Sequence, residues 1–367
     1  MIDPKNPFAN ETEFADYNSD YGEIVPQIRM EGCEIPLFPN ARERRRIRKY
    51  QNIVGGYLFC HLLLMNVLTL LFMEGYLALQ KMIDSRASGG TLPENYLSLA
   101  SEYFENSSSY MAVTMLVIAS CSVLVVWFGC KSTKIPISTL FQTKEFSPSL
   151  AVSYVAIALL LQNLTGWIAV GIDALMEGVG VSDFTPDLGV SQNLRSVIVS
   201  FVYSVIVAPI TEELLVRGFV MKNLCRCGQR FGIIMSAFFF GVWHENIAQF
   251  VLAFAAGCFF GYITVKHNSL IPSMICHICV NLSAEIFDIC DNYNWDMAYD
   301  IFNVLYVLMV IAGLILLIRM MILERFPRST PHQAERGLRI ALTSPLLMLV
   351  LTCHIASAVL MIINENS

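Results

Sequence analysis

The 367-residue chain is 55% hydrophobic and only 15% charged, and its mean hydropathy of +0.55 is far above that of a soluble domain of this size. Such a composition excludes a water-soluble globular enzyme and indicates a polytopic membrane protein. The formal net charge of −6 implies no basic ligand, because the charges are segregated by loop, and in a membrane protein that pattern reports orientation.

Residues 1 to 40 hold no long apolar run. Their start, MIDPKNPFANETEFADYNSD, lacks the basic head, short apolar core and small-residue cleavage site of a secretory signal, so this segment reads as a polar tail. ARERRRIRKY, residues 41 to 50, then sets a basic cluster ahead of the first apolar stretch, which predicts a cytoplasmic N-terminus. No aromatic platform or DNA-binding motif accompanies the cluster, so no nucleic-acid partner is expected.

Apolar segments long enough to cross a bilayer, or nearly so, follow at about 52 to 79, 111 to 130, 150 to 176, 194 to 226, 231 to 246, 248 to 265, 268 to 289, 299 to 321 and 340 to 362. The short fifth and sixth segments can also be read as one re-entrant hairpin, so the fold class is an all-α transmembrane bundle of about eight to nine helices. From a cytoplasmic N-terminus the loops 131 to 149, 227 to 230, 266 to 267 and 322 to 339 are cytoplasmic as well. They carry Lys131, Lys134, Lys144, Arg230, Lys266, Arg325, Arg328, Arg336 and Arg339. Of the opposite loops, 80 to 110 holds only Lys81 and Arg86, while 177 to 193 and 290 to 298 hold no Lys or Arg. A multi-pass protein of the cell membrane, N-terminus inside, satisfies this asymmetry.

The eleven cysteines are scattered and mostly lie within apolar segments, which argues against a disulfide framework. Cys276 and Cys279 form a CxxC and Cys225 and Cys227 a CxC, but neither sits in a small zinc-binding loop, and packed free thiols are expected. The methionines read as ordinary core filler. No internal repeat, low-complexity tract or Gly-rich phosphate loop is present.

Ionisable residues inside the fourth to seventh segments carry the functional signal, because each is expensive to hold in hydrocarbon. They fall in TEELLVRGF (Glu212, Glu213, Arg217), FFFGVWHENIAQ (His244, Glu245, Asn246, Gln249) and MICHICVNLSAE (His277, Asn281). Glu213 and Arg217 are four apart and share a helical face, so they can neutralise one another, with Arg217 in a structural role. Glu212 is turned about 100° away and is left without that partner. A carboxylate in apolar surroundings has its pKa raised toward working pH, as a general base requires. His277 and Asn281 also share a face. Glu212 lies sixteen residues before Gly228 and His244 sixteen after it, so a helical hairpin turning there puts both at about 24 Å depth, against roughly 15 to 22 Å for His277 and Asn281. Pro209 should free backbone carbonyls and bend the fourth helix just before Glu212.

EExxxR (Glu212, Glu213, Arg217), FxxxH (Phe240, His244) and HxxxN (His277, Asn281), in that order on successive membrane helices, resemble the three motifs of the CPBP family, also called the Abi or CAAX-protease and bacteriocin-processing family. The resemblance covers about residues 195 to 290. It implies an intramembrane endopeptidase in which Glu212 activates a water with help from His244, while His277 and Asn281 position the scissile carbonyl and stabilise its oxyanion. Relatives trim prenylated CAAX proteins, or are tied to peptide maturation or bacteriocin immunity. The flanking segments match no motif.

The residue chemistry agrees with that implication. Peptide hydrolysis needs an activated water, an oxyanion donor and a proton for the leaving amine, and Glu212, Asn281 and the histidines can supply them. GxSxG is absent and no cysteine stands in a protease context, which speaks against covalent catalysis. No cofactor is expected, although Glu212, His244 and His277 would form a His2Glu zinc set if the protein were metal-dependent. His244-Glu245 is not HExxH, because Ala248 stands where the second histidine belongs. Glu245 and Gln249 are expected to line the site and Phe240 to wall His244. The alternatives are a proton- or ion-coupled transporter, which should show a paired inverted repeat, a non-catalytic immunity or partner-binding protein, and plain interhelical hydrogen bonding. Residues 1–50 form a cytoplasmic tail with the basic run, 51–193 the N-terminal membrane helices, 194–290 the catalytic core and 291–367 the C-terminal helices. The expected partners are the lipid bilayer and a membrane-associated peptide or protein substrate; a partner membrane protein is left open.

Overall fold

The structure, a computed structural model, describes residues 40–366 apart from 89, 91, 106, 144, 182–193 and 324–330. It is all-helical among the described residues, and eight of its helices are long and apolar enough to cross a membrane. The protein is a multi-pass membrane bundle.

Helix α1 (Asn40–Ala87) is followed by the short α2 (Tyr96–Glu105), then α3 (Ser108–Ser132) and α4 (Pro148–Gly178). Serines cap two of these starts: Ser107 accepts from the Tyr110 N–H and Ser147 from the Leu150 N–H, with Pro148 opening α4. The fourth span, α5 (Leu194–Cys227), is a composite. It is α-helical over Leu194–Val202 and Ala208–Glu213, and π-helical over Tyr203–Val207 and Leu214–Met221. Gly228, at φ 120°, turns the chain into α6 (Gln229–Trp243), and Asn246 caps α7 (Ile247–His267). The remaining helices are α8 (Ile271–Asn292), α9 (Asp296–Leu323), α10 (Pro331–Leu342) and α11 (Pro345–Glu365).

Two expectations need correction. The first helix does not begin at 52: it starts at Asn40 and absorbs the basic run, because 41 to 54 contain no Gly or Pro and are rich in helix-favouring Arg. At 48 residues it is about 72 Å long, more than twice the hydrocarbon thickness, so it must project beyond the bilayer. The loop expected at 80 to 110 is likewise mostly helical, formed by the end of α1 and by α2. The fifth segment is a true helix, yet its 15 residues reach only about 22 Å and fall short of a full crossing.

The described parts of the loops expected to lie on the side of the basic run meet at one end of the bundle. Arg226 Nη2 donates to the Thr133 carbonyl at 2.8 Å, the Leu270 N–H to the Leu140 carbonyl at 2.9 Å, and Thr143 and Ser269 share a 2.9 Å hydroxyl bond. From α1, Arg48 donates to Thr343 Oγ1 at 3.0 Å and Gln51 to the Gly337 carbonyl at 3.3 Å. The described parts of these loops therefore share one end of the bundle, while Lys144, Arg325 and Arg328 lie outside the described residues. Helix α7 is the most buried span, flanked by α4, α6 and α8, whereas α1, α9 and α11 are the least buried. Their exposed leucines and isoleucines, such as Leu70, Leu71, Ile315 and Ile322, form the lipid-facing surface a bilayer requires.

Candidate active site

The ionisable residues of α5 and α8 converge around one imidazole. Arg217 Nη1 donates to Glu213 Oε1 at 2.7 Å, and neither side chain has any solvent exposure. His277 Nδ1 lies 3.1 Å from the same Glu213 oxygen. Carboxylate oxygens only accept when ionised, so His277 donates from Nδ1 and turns Nε2 the other way. There it faces Glu212 Oε2 at 3.7 Å. Glu213 therefore does more than neutralise Arg217: it fixes the tautomer and tilt of His277, a role the periodicity argument did not assign. Glu212, expected to stand apart from the Glu213–Arg217 pair, faces His277 at a distance too long for a direct hydrogen bond.

Aromatic rings wall this cluster. The Arg217 guanidinium lies 4.5 Å from the Phe240 ring centroid and 5.6 Å from that of Phe260, so ring faces add to the compensation of the cation by its carboxylates. Phe240 also packs edge-on to His244 at 4.8 Å and to His277 at 5.9 Å. Arg217 and Phe240 lie eleven and twelve residues from Gly228 on either side, and their contact is what an antiparallel hairpin turning there demands. Room for the guanidinium comes from Gly257 of α7, where an added Cβ would stand 3.2 Å from Arg217 Nη2.

His244 caps the end of α6 and is approached by its own helix. Its Nδ1 is 2.8 Å from the Phe240 carbonyl, which can only accept, so Nδ1 carries the proton and Nε2 presents a lone pair. Among the described residues His244 forms no ion pair. Nor do three His, Cys, Asp or Glu side chains gather there as a metal-ligand set.

Asn281 reaches back to α5, where Nδ2 donates to the Ser204 carbonyl at 2.8 Å. The π register explains why that carbonyl is open. The Ala208 N–H bonds to the Tyr203 carbonyl, five residues back, so the next donor in line for Ser204 would be residue 209, which is proline and has no N–H. Glu285, one turn beyond Asn281, accepts from Ser204 Oγ at 2.5 Å. His277, Asn281 and Glu285 thus form a ladder at four-residue spacing that ties α8 to α5. Glu285 and Ser204 were not anticipated, although the spacing from Asn281 could have flagged Glu285.

The residues of the α6–α7 turn play different parts from those expected. Gln249 is exposed and contributes its backbone N–H to the Asn246 cap at 2.8 Å, so it does not line the cluster. Glu245 points to α11, with His354 Nδ1 at 2.6 Å and Ser357 Oγ at 2.5 Å. The four cysteines of the CxxC and CxC spacings are free thiols, with Cys225 and Cys276 buried; Cys33 falls outside the described residues.

Residues 194–283 match the family model described as type II CAAX prenyl endopeptidase, Rce1-like. The motif-bearing core is thus similar to that of CAAX-type membrane proteases over this stretch. The matched stretch contains Glu212, Glu213, Arg217, His244, His277 and Asn281, and it favours neither the transporter nor the immunity-protein reading. No curated protein and no solved structure matches the chain.

Proposed function

We propose that this chain is an intramembrane endopeptidase that hydrolyses a peptide bond of a membrane-associated protein or peptide through a water activated by Glu212. One observation carries the reading: His277, anchored by a buried Glu213–Arg217 pair, holds Nε2 3.7 Å from Glu212 Oε2. That separation is too long for a direct hydrogen bond and suits two groups sharing a water. Glu212 is 28% exposed, so it can be reached, whereas Glu213 cannot.

In the proposed cycle Glu212 takes a proton from the water, whose oxygen attacks the scissile carbonyl. The second N–H of Asn281 stabilises the oxyanion, its first being held by Ser204, and His277 aids from Nε2 when protonated. Glu212 then returns the proton to the leaving amine as the C–N bond breaks. His244 Nε2 offers the water a second acceptor. No metal is assigned to this step. We assign the start of α1 and the loop end that meets it to the cytoplasmic side from their Lys and Arg content.

The family description names CAAX prenyl endopeptidases, so a prenylated C-terminal peptide is the first substrate to offer, followed by a membrane-peptide library read by mass spectrometry for new termini. Glu212→Gln keeps size and removes the base, and is expected to abolish new termini while leaving the folded yield unchanged. Cleavage by Glu212→Gln equal to that of wild type would end the assignment of Glu212 as base.

A further inference from the structure

The residue after His244 has an unusual conformation. Glu245 sits at φ 55°, the left-handed region that a non-glycine residue adopts only when its surroundings enforce it. This conformation ends α6 and lets Asn246 open α7, so it determines how the backbone presents His244. The enforcement comes from outside the matched stretch. Both carboxylate oxygens of Glu245 are taken by α11, one by His354 Nδ1 at 2.6 Å and the other by Ser357 Oγ at 2.5 Å. His354 lies nine residues into α11, about 14 Å along its axis, so the grip is inside the membrane span, where competing water is scarce.

Trp243 holds the other flank of His244. Its ring lies 6.5 Å from His354 and packs edge-on at 5.0 Å against His61 of α1. His61 Nε2 in turn bonds Ser122 Oγ of α3 at 2.9 Å. Between these groups and Phe240 lies a cavity of about 20 Å³, room for a single water. The turn carrying His244 is therefore gripped by α1 and α11, with α3 behind His61.

We infer that Glu245 is a positioning residue, clamped by His354 and Ser357, and that it aims His244 Nε2 into the active site. The C-terminal helix α11 then belongs to the catalytic apparatus although no motif marks it. The inference rests on the proposed role of His244, and its test has one arm that needs no activity.

Asparagine superposes its Nδ2 on histidine Nδ1, so His354→Asn keeps the donor to Glu245 that His354→Ala removes. Reconstituted full-length protein labelled with ¹⁵N-histidine reports the His244 tautomer, and peptide cleavage reports kcat and KM. In His354→Ala, kcat is expected to fall about ten- to a hundred-fold with KM within about two-fold, as misplacement of a reacting group predicts. The Nδ1–H signature of His244 becomes a mixture of tautomers, and His354→Asn restores both readouts. Should His354→Ala not yield folded protein, Ser357→Ala carries the same readouts with smaller changes. An unmoved His244 signal in the clamp variants, or equal loss in His354→Ala and His354→Asn, overturns the inference. A wild type that cuts nothing while His244 still responds to the clamp instead refutes the protease reading and leaves the positioning intact.

Discussion

Glu213→Gln tests the electrostatic base of the site. It preserves shape and an acceptor oxygen but removes the charge that compensates Arg217, whose side chain has no solvent exposure. Among the described residues Arg217 Nε and Nη2 have no hydrogen-bond acceptor, so the 2.7 Å bond to Glu213 is the main compensation of the guanidinium, with Glu212 and the ring faces adding to it. Breaking a buried pair from one side costs about 3–5 kcal/mol, which lowers the folded-to-unfolded ratio by roughly a hundred- to a few-thousand-fold. Removing both charges is different. In Glu213→Gln/Arg217→Met neither ion needs desolvation, and stability is expected to return to within about 1–2 kcal/mol of wild type.

Unfolding of the detergent-solubilised protein can be followed by labelling of its buried free thiols, among them Cys225 and Cys276. The double variant should regain stability without regaining full turnover. His277 Nδ1 would then donate to a neutral amide, and loss of a charged orienting partner typically costs about 10- to 100-fold. A Glu213→Gln protein as stable as wild type, or a double variant no better than the single one, would show that the ion pair is not what holds this part of the bundle.

Three further outcomes are expected. Purified protein should contain substoichiometric zinc and stay active after exhaustive chelation, whereas one tightly held zinc per chain, with activity lost on its removal and restored on its return, would make His244 and His277 ligands. Gly257→Ala sets a Cβ 3.0 Å from that of Ala237 and 3.2 Å from Arg217 Nη2 and should destabilise by about 1–3 kcal/mol; Gly166→Ala, which meets nothing within 4 Å, is the neutral control in the same thiol-labelling measurement. Asn281→Ala should lower kcat by roughly 100-fold or more with little change in KM, and Asn281→Asp nearly as much, because an ionised carboxylate would face the Ser204 carbonyl; steady-state cleavage of one peptide by the three proteins decides it.

Much of the architecture could be read before the structure because the bilayer imposes it. Long apolar runs and loop charge follow from desolvation, which acts residue by residue along the chain. The Glu213–Arg217 pair follows from helical spacing alone. The onset of α1 was missed because hydropathy marks where a helix enters hydrocarbon, not where it begins to form. The dual contact of His277 was missed for a different reason. Two adjacent carboxylates on a helix diverge by about 100°, but an imidazole has nitrogens on opposite sides and can address both.

The least legible feature was the register of α5. A π stretch leaves the apolar pattern almost unchanged while shifting each hydrogen bond by one residue, so composition does not reveal it. Pro209 was a visible clue, since a proline must leave some carbonyl without a donor. Which carbonyl depends on register: four residues back in an α-helix is Val205, five back in the observed π turn is Ser204. Only the second choice brings an orphan acceptor to Asn281, seventy-seven residues away in sequence. One amide hydrogen of Asn281 satisfies Ser204 and the other is set by that bond, so the candidate oxyanion donor is oriented by a backbone irregularity in another helix. Glu285 secures the same serine by its hydroxyl. The HxxxN motif therefore cannot be understood on α8 alone: its geometry requires both the proline and the π register of α5.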